Sequence, residues 1–365
     1  MKPVYEVQVL VDEAVKEVAK SLDYVFTGKS TFVGWEKPEI PKEFSLGLIV
    51  GPSGSGKSLL LKAFGNEEPI VWRKEKAIVS QFNSTKEALD KLMAVGLNSV
   101  PSWCRPYHVL STGEQFRADL ARRIKDGAVV DEYTSTVDRN VAKAASVALR
   151  RYVDGHNSKN IVLASCHSDI LEWLRPDWYF DTTDGILHDG RLLRRPPIKV
   201  RIYPCRRSVW PVFAKHHYLI ETLSGSCDSY LATASFGGGK ETTVGFVSSL
   251  PQPFMKDAYR EHRTVVLPDF QGMGIGPTIS DAIAQLYVDR GKRYFSKTAH
   301  IRFGGYRERS KKWKPTCKNL SSRGDIADKL TGKKKDGSKR SEKGKDYKGS
   351  PNRLTFSHEY IGDPI

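Results

Sequence analysis

The sequence predicts two folded parts, an α/β part with a mostly parallel, helix-flanked sheet and then a smaller α+β part, and three observations carry that reading. Through the first half, the apolar runs LGLIV, KAIVS, GAVVD and NIVLAS alternate with helical patterns. Past GRLLRRPPIKVRIYP the rhythm changes: short strand runs (SYLATASF, TTVGFVSS, RTVVLP) precede one clear helix, ISDAIAQLYVDR, and a further strand, RYFSKTAH. The length of 365 residues exceeds one ordinary core and suits two.

In order along the chain, helical periodicity marks residues 59–64, 86–95, 114–125 and 140–152. Pro196 and Pro197 stand side by side, and adjacent prolines cannot continue a helix or a central strand. That stretch reads as an exposed connector dividing a domain over 1–195 from one over 196–320. From Ser321 the composition turns to Gly, Ser and Lys around TGKKKDGSKRSEKGKDYKG, which cannot bury enough to order itself, so 321–352 is expected to be a basic flexible loop. NRLTFSHEYIG then reads as a closing strand of the second domain, over 353–365. No internal repeat is visible.

A net charge of +16 gives a surface that attracts phosphates, with nucleic acid the first partner to consider and an acidic membrane face the next. Five widely spaced cysteines without a CxxC pair argue against a disulfide framework or a zinc site and for a reducing cytoplasm. The opening MKPVYEVQVLVDEAVKEVAK carries acidic residues through its apolar part, unlike a secretory signal, and no apolar run has membrane-spanning length. No membrane partner is expected, and a transport role would require a separate membrane subunit.

GPSGSGKS fits the phosphate-binding pattern G-x-x-x-x-G-K-[ST] and lies between an apolar strand and a helix, where such a loop must lie. Gly51, Gly54 and Gly56, with Ser53 and Ser55 between them, let backbone amides turn toward a β-phosphate. Lys57 supplies a mobile charge for β- and γ-phosphates, and Ser58 a magnesium ligand. In GAVVDEYTS a strand ends at Asp131, suited to hold magnesium through water, and Glu132 follows as the group to polarise an attacking water. ATP and Mg²⁺ are therefore the expected ligands of the first domain.

LSTGEQFRADLAR resembles the signature motif of the ATP-binding-cassette (ABC) family, with Ser111, Gly113 and Glu114 matching and Thr112 where a glycine is usual. TSTVD resembles the D-loop, with Asp138 as its carboxylate; Cys166-His167 resembles the switch histidine; and Gln81 in VSQF the Q-loop glutamine, a further magnesium ligand. The resemblance covers residues 46–180. It implies a homodimer in which the signature of one protomer closes over the P-loop of the other, so that ATP joins two chains. Two departures stand out: Tyr133 replaces a common proline, and the segment between Lys57 and Ser111 is short. That segment is where transporter ATPases meet membrane partners, so its reduction leans toward the soluble members. Phe26, Phe32 and Phe44 are all available to stack on adenine.

RTVVLPDFQGMGIGPTISDAIAQLYVDRG resembles the acyl-CoA-binding core of the GNAT acetyltransferase superfamily, whose [QR]-x-x-G-x-[GA] pattern is filled by Gln271, Gly274 and Gly276, with Gly272 as an extra. Amide hydrogens and a helix N-terminus would receive the pyrophosphate of acetyl-CoA or another acyl-CoA. Val265 to Leu267 would offer strand-edge groups to the pantetheine arm. Acyl transfer requires a base for the attacking amine and an acid for the departing thiolate. His216, His217 and Glu221 are the candidates for the base, and Tyr306 for the acid.

RERSKKWKPTCKN sets Arg307, Arg309, Lys311, Lys312 and Lys314 around Trp313, a basic run with an aromatic able to stack on a base. The leading expectation is an ABC-type ATPase fused to a GNAT-like acyltransferase that modifies DNA or RNA bases, with ATP-driven pairing clamping the substrate. In outline this resembles the phage Mom-type DNA-modification acyltransferases. Two alternatives stay open: an acetyltransferase for proteins or small amines, and a non-catalytic nucleic-acid clamp.

Overall fold

A strand buried along its whole length must be covered on both faces, and Leu46–Val50 meets that condition at every residue. In the computed structural model, which describes residues 2–217, 222–321 and 354–363, this strand centres the first of two compact units, Met1–Pro196 and Pro197–Ile365.

The first unit opens with an antiparallel pair, β1 (Val4–Gln8) and β2 (Lys29–Val33), on either side of helix α1 (Glu13–Ser21). The central strand is β3 (Leu46–Val50). With β4 (Val129–Val130), β5 (Ile161–Ser165), β6 (Trp178–Asp181) and β7 (Ile186–Asp189) it forms a five-stranded sheet in the order β4-β5-β3-β6-β7. The pairings of β4 with β5, β5 with β3 and β3 with β6 are parallel, and the edge strand β7 is antiparallel. The helices are α2 (Lys57–Leu61), α3 (Thr85–Ala94), α4 (Val100–Trp103), α5 (Thr112–Arg123), α6 (Arg139–His156) and α7 (Leu171–Leu174). Their starts follow from local chemistry: Ser84 caps α3, Ser111 and Glu114 form a capping box on α5, and Asp138 caps α6. Leu92, Leu120 and Leu149 bring their apolar faces onto Leu46, Leu48 and Leu163.

Two expectations are corrected here. KAIVS is no strand; Ile78–Gln81 forms a single 3₁₀ turn, with Ile78 buried and its N–H donating to the Arg105 carbonyl at 2.9 Å. The helix expected over 59–64 covers Lys57–Leu61 and then tightens, with Ala63 and Phe64 N–H donating three residues back to Leu60 and Leu61.

The second unit is built on a seven-stranded sheet. Its strands are β8 (Ile198–Pro204), β9 (Asp228–Phe236), β10 (Thr242–Pro251), β11 (Ala258–Val266), β12 (Arg293–Thr298), β13 (Trp313–Pro315) and β14 (Phe356–Tyr360), in the order β13-β14-β12-β11-β10-β9-β8. The helices are α8 (Pro211–Ala214), α9 (Ile275–Asp289) and α10 (Ile301–Arg309). Of the stretch read as an exposed connector, residues 198–204 form β8, which starts directly after Pro197. It is an edge strand, where prolines at either end interrupt no second ladder.

One feature of this sheet positions the site. Among the described residues β11 and β12 are its one parallel pair, and they stay together for three rungs, from Ala258↔Arg293 to Arg260↔Phe295. Beyond Arg260 the ladder with β12 ends, while β11 continues to Val266 paired only with β10. The basic loop expected over 321–352 lies outside the described residues save for Ser321, as does Glu221.

Candidate functional site

In the first unit β3 runs into the loop 51–56, and the loop into α2. Gly56 caps α2 at φ 85° and ψ 14°, a left-handed conformation that costs glycine little and other residues more. It also faces Phe32 so closely that an added Cβ would stand 2.7 Å from the ring. Neighbours brace the loop: Trp35 Nε1 donates to the Ser55 carbonyl at 2.7 Å, and Ser55 Oγ lies 2.6 Å from Thr182 Oγ1, which donates to the Val50 carbonyl at 3.2 Å. Gly51 packs against the same threonine.

Ser53, Gly54, Gly56, Lys57 and Ser58 line a cleft of about 400 Å³ together with Asp131 and Glu132 from the end of β4, Ser135 and Cys166, and Phe32 on β2. Of the three phenylalanines the sequence left open, Phe32 is the one at this cleft. Nothing lies within 4 Å of the Cβ position of Gly54, so the loop's face is uncovered there. Lys57 Nζ donates to the Pro52 carbonyl at 2.6 Å, folded back on its own loop. Glu132 has φ 47°, and its N–H donates to Asp131 Oδ1 at 2.8 Å. A cation, three serine hydroxyls and two carboxylates thus share one concavity. The oxygen donors of Ser58 and Asp131 are those a hard divalent cation such as Mg²⁺ takes, with Glu132 beside them.

Three of the sequence's candidates stand elsewhere. Gln81 is not among the cleft residues: its Oε1 accepts from Arg73 N–H at 2.8 Å, and its Nε2 donates to the Arg73 and Lys76 carbonyls at 3.2 and 3.0 Å. As a magnesium ligand it is corrected here, because its amide is engaged by the backbone of the preceding turn. Ser111 and Gly113 lie at the start of α5, outside the cleft. There the Glu114 carboxylate accepts from Ser111 N–H at 3.0 Å and from Ser102 Oγ at 2.6 Å. Burial works to raise that carboxyl, but Ser102, Ser111 and Arg117 outweigh it and hold it below the ordinary range. His167 follows Cys166 at the cleft edge, its N–H donating to Ser165 Oγ at 3.1 Å. Burial, then the Arg139 charge, lowers its pKa against a smaller pull from Asp169.

In the second unit Gly274 caps α9 at φ 90° and ψ 5°. Gly272, at φ 88°, precedes it, and Gln271 Nε2 donates to the Val266 carbonyl at 3.0 Å, tying the loop to the end of β11. Gly276 sits in the first turn of α9, where an added Cβ would make ordinary contacts with Val266 and Phe303, so this position does not demand glycine.

The open edge of β11 takes in only Val266 of the three residues, 265–267, that the sequence set there. Leu267 N–H donates to the Val244 carbonyl at 2.9 Å, so Leu267 and, two residues back, Val265 turn their backbone groups toward β10. Thr264 and Val266 face the side from which β12 has parted. The side-chain period is legible in a sequence; which edge stays unpaired is not.

His217 stands just past α8, its ring edge-on to Trp210 at 5.9 Å between centroids, and Trp210 belongs to the cluster that holds Phe246 and Val265. Tyr306 on α10 donates its hydroxyl hydrogen to Asp281 on α9, and Asp281 also accepts from Trp313 Nε1 at 2.8 Å. Burial first, then this carboxylate, pushes the phenol up to about 12. The expected role as acid is corrected accordingly: releasing that proton would leave two anions side by side. Trp313, read as a base-stacking residue, is buried.

No protein-family model matches the chain, and no curated protein matches it in sequence. Among solved structures the chain is similar to the dimeric structure of a bacterial ABC transporter cassette, at 15% identity and a TM-score of 0.33, over 44% of this chain and 93% of that one. It is also similar to an IAA acetyltransferase from Bacillus cereus, at 12% identity and a TM-score of 0.28, over 45% and 99%. A Bacillus subtilis acetyltransferase in complex with CoA gives 10% identity and a TM-score of 0.29, over 45% and 98%. Among the described residues no helix is long and apolar enough to cross a membrane.

Proposed function

We propose that the chain is an ATP-hydrolysing acyl-CoA acyltransferase that modifies a base of DNA or RNA. The first unit binds ATP and Mg²⁺, and the second binds acetyl-CoA or another acyl-CoA. The observation that carries this reading is that a strand gives way to a left-handed glycine at a helix start in each unit, at Gly56 and at Gly274. Each presents backbone amides to a phosphate, one beside a lysine and two carboxylates, the other beside the open edge of β11.

In the first unit Glu132 polarises the attacking water, Lys57 meets the β- and γ-phosphates, and Ser58 and Asp131 hold the metal. Ser111 and Gly113 stand outside the cleft, as a site completed by a second copy of the chain requires. ATP then joins two chains around the substrate. In the second unit the amine of a base attacks the thioester carbonyl, the nitrogen loses a proton to His217, and the thiolate leaves. The net charge of +16 favours a polyanionic substrate over a cationic amine.

Purified chain given ATP, Mg²⁺, labelled acetyl-CoA and DNA or RNA is expected to place the label on a nucleoside, read by mass spectrometry after digestion. The Glu132→Gln variant should lower ATP turnover by about 10²–10³-fold, as loss of a positioned general base does. Label appearing on protein or a small amine, with none on nucleic acid, would overturn the substrate assignment.

A further inference from the structure

Strand β4 is two residues long and, among the described residues, stands at the edge of its sheet. Asp131 follows it and so lies past the last rung of the ladder, Val130↔Leu163. One residue later Glu132 turns the chain into the left-handed region, and the next bond to the neighbouring strand's side is Tyr133 N–H donating to the Ala164 carbonyl at 2.7 Å. The sheet thus leaves the Asp131 N–H without a ladder partner. A side chain from elsewhere meets it: Glu67 Oε1 accepts from Asp131 N–H at 3.3 Å.

Glu67 is itself held. The same oxygen pairs with Arg123 Nε at 3.0 Å, with side-chain exposures of 30% and 25%, so water and salt screen this pair less than one standing free on the surface. Arg123 is the last residue of α5. Three more contacts tie the segment after α2 to the C-terminal half of that helix and the residues just past it. Trp72 Nε1 donates to Asp119 Oδ1 at 2.7 Å, Arg122 Nη1 to the Val71 carbonyl at 2.8 Å, and Lys125 Nζ to Glu68 Oε1 at 2.6 Å. The Arg122 guanidinium also lies over the Trp72 ring, 4.8 Å from its centroid. Residues 67–72 are thereby laid along α5, and from them Glu67 reaches the end of β4.

Asp131 is gripped twice as a result, its N–H by Glu67 and its Oδ1 by the Glu132 N–H at 2.8 Å. One bond fixes the backbone, the other the carboxylate. A metal ligand needs both, because the groups that orient it decide how much of the binding energy is spent on ordering it.

We infer that Glu67 is a positioning residue for the metal-binding carboxylate: anchored by Arg123 on α5, it sets the backbone from which Asp131 reaches Mg²⁺. This rests on the proposed ATP and Mg²⁺ site.

The test is calorimetry of a non-hydrolysable ATP analogue binding to the full chain, once in EDTA and once in Mg²⁺. Mg²⁺ is expected to tighten binding to the parent. Glu67→Ala should bind the analogue as the parent does in EDTA and about tenfold more weakly in Mg²⁺, the scale of losing a group that orients a metal ligand. Glu67→Gln keeps an oxygen for the Asp131 N–H and should restore most of the Mg²⁺ effect. Arg123→Met removes the anchor of Glu67 and should give a smaller loss, again in Mg²⁺ alone; it decides the matter by itself if Glu67→Ala fails to fold. Variants that match the parent in both conditions would overturn the positioning role and leave the ATP site standing. Equal losses in EDTA and in Mg²⁺ would also overturn it, since they mark a residue that only braces the fold. A parent that binds the analogue no more tightly in Mg²⁺ than in EDTA would overturn the metal site, and this inference with it.

Discussion

At Gly56 the backbone stands at φ 85° and ψ 14°, and at Gly274 at φ 90° and ψ 5°, so the two units begin a helix after nearly the same turn. Their surroundings differ. The helix after Gly56 has five residues, and the cleft before it holds Lys57, Asp131 and Glu132. The helix after Gly274 has 15, and its loop is tied by a neutral carboxamide, Gln271, to the end of β11. A turn of this kind can present backbone amides to a phosphate in either case, and under the proposed function the neighbouring charges decide which chemistry that phosphate meets. Paired carboxylates with a lysine suit a metal and the breaking of a phosphoanhydride bond. A neutral loop beside an unpaired strand edge suits a carrier that is held by its phosphates and reacts at its far end.

The sharpest way to break this comparison is to disable one cradle and read both. Lys57→Ala is expected to lower ATP turnover by about 10²-fold or more, the scale of losing one charge stabiliser at a reacting phosphate, while calorimetry finds acetyl-CoA binding unchanged. Gly274→Glu forces a side chain into the left-handed region and sets a carboxylate where a pyrophosphate is to lie. Acetyl-CoA binding should vanish and ATP binding persist. If either variant abolished both ligands, the two cradles would not be independent sites.

A smaller effect sharpens the front cradle. Phe32 reaches the cleft from β2, a strand outside the five-stranded sheet, and the Gly56 backbone lies against its ring. If that ring also stacks on adenine, Phe32→Ala should weaken ATP by about tenfold, at the lower end of the 1–3 kcal/mol that base stacking contributes. Inorganic triphosphate, which has no base, should bind the variant as it binds the parent. Equal losses for both ligands would assign Phe32 to bracing the loop alone.

How far these sites were legible depends on whether they are made by neighbours in the chain. Gly54, Gly56, Lys57 and Ser58 lie close together in the sequence, and the strand ending at Asp131 is a local apolar run, so pattern and position could set them at one cleft. Gln81 failed because VSQF says nothing of which backbone its amide will meet; tertiary folding set it on Arg73 and Lys76. Phe32 could not be chosen over Phe26 and Phe44 for the same reason. The adjacent Pro196 and Pro197 hid β8, which starts directly after them at the sheet's edge. The reversal of Val265 and Val266 is subtler. Alternation along a strand is written in the residues, but which side remains open depends on where β12 leaves β11, at Arg260.

The smallest expected effect tests how the front cradle is held. Trp35 Nε1 donates to the Ser55 carbonyl inside the loop, while the ring packs edge-on to Phe180 at 5.6 Å. Trp35→Phe keeps most of the aromatic contact and removes the donor, leaving a loop carbonyl without its partner. A single hydrogen bond of this sort contributes about 1 kcal/mol. The midpoint of the first unit's unfolding should therefore fall by about 2–4 °C, as for a domain of roughly this size. If the bond also preorganises the loop, ATP affinity should fall about fivefold, because part of the binding energy would then order a turn the tryptophan had ordered beforehand. An unchanged affinity with a lowered midpoint would confine the tryptophan to stability, and the rear cradle, tied by Gln271, should show neither effect.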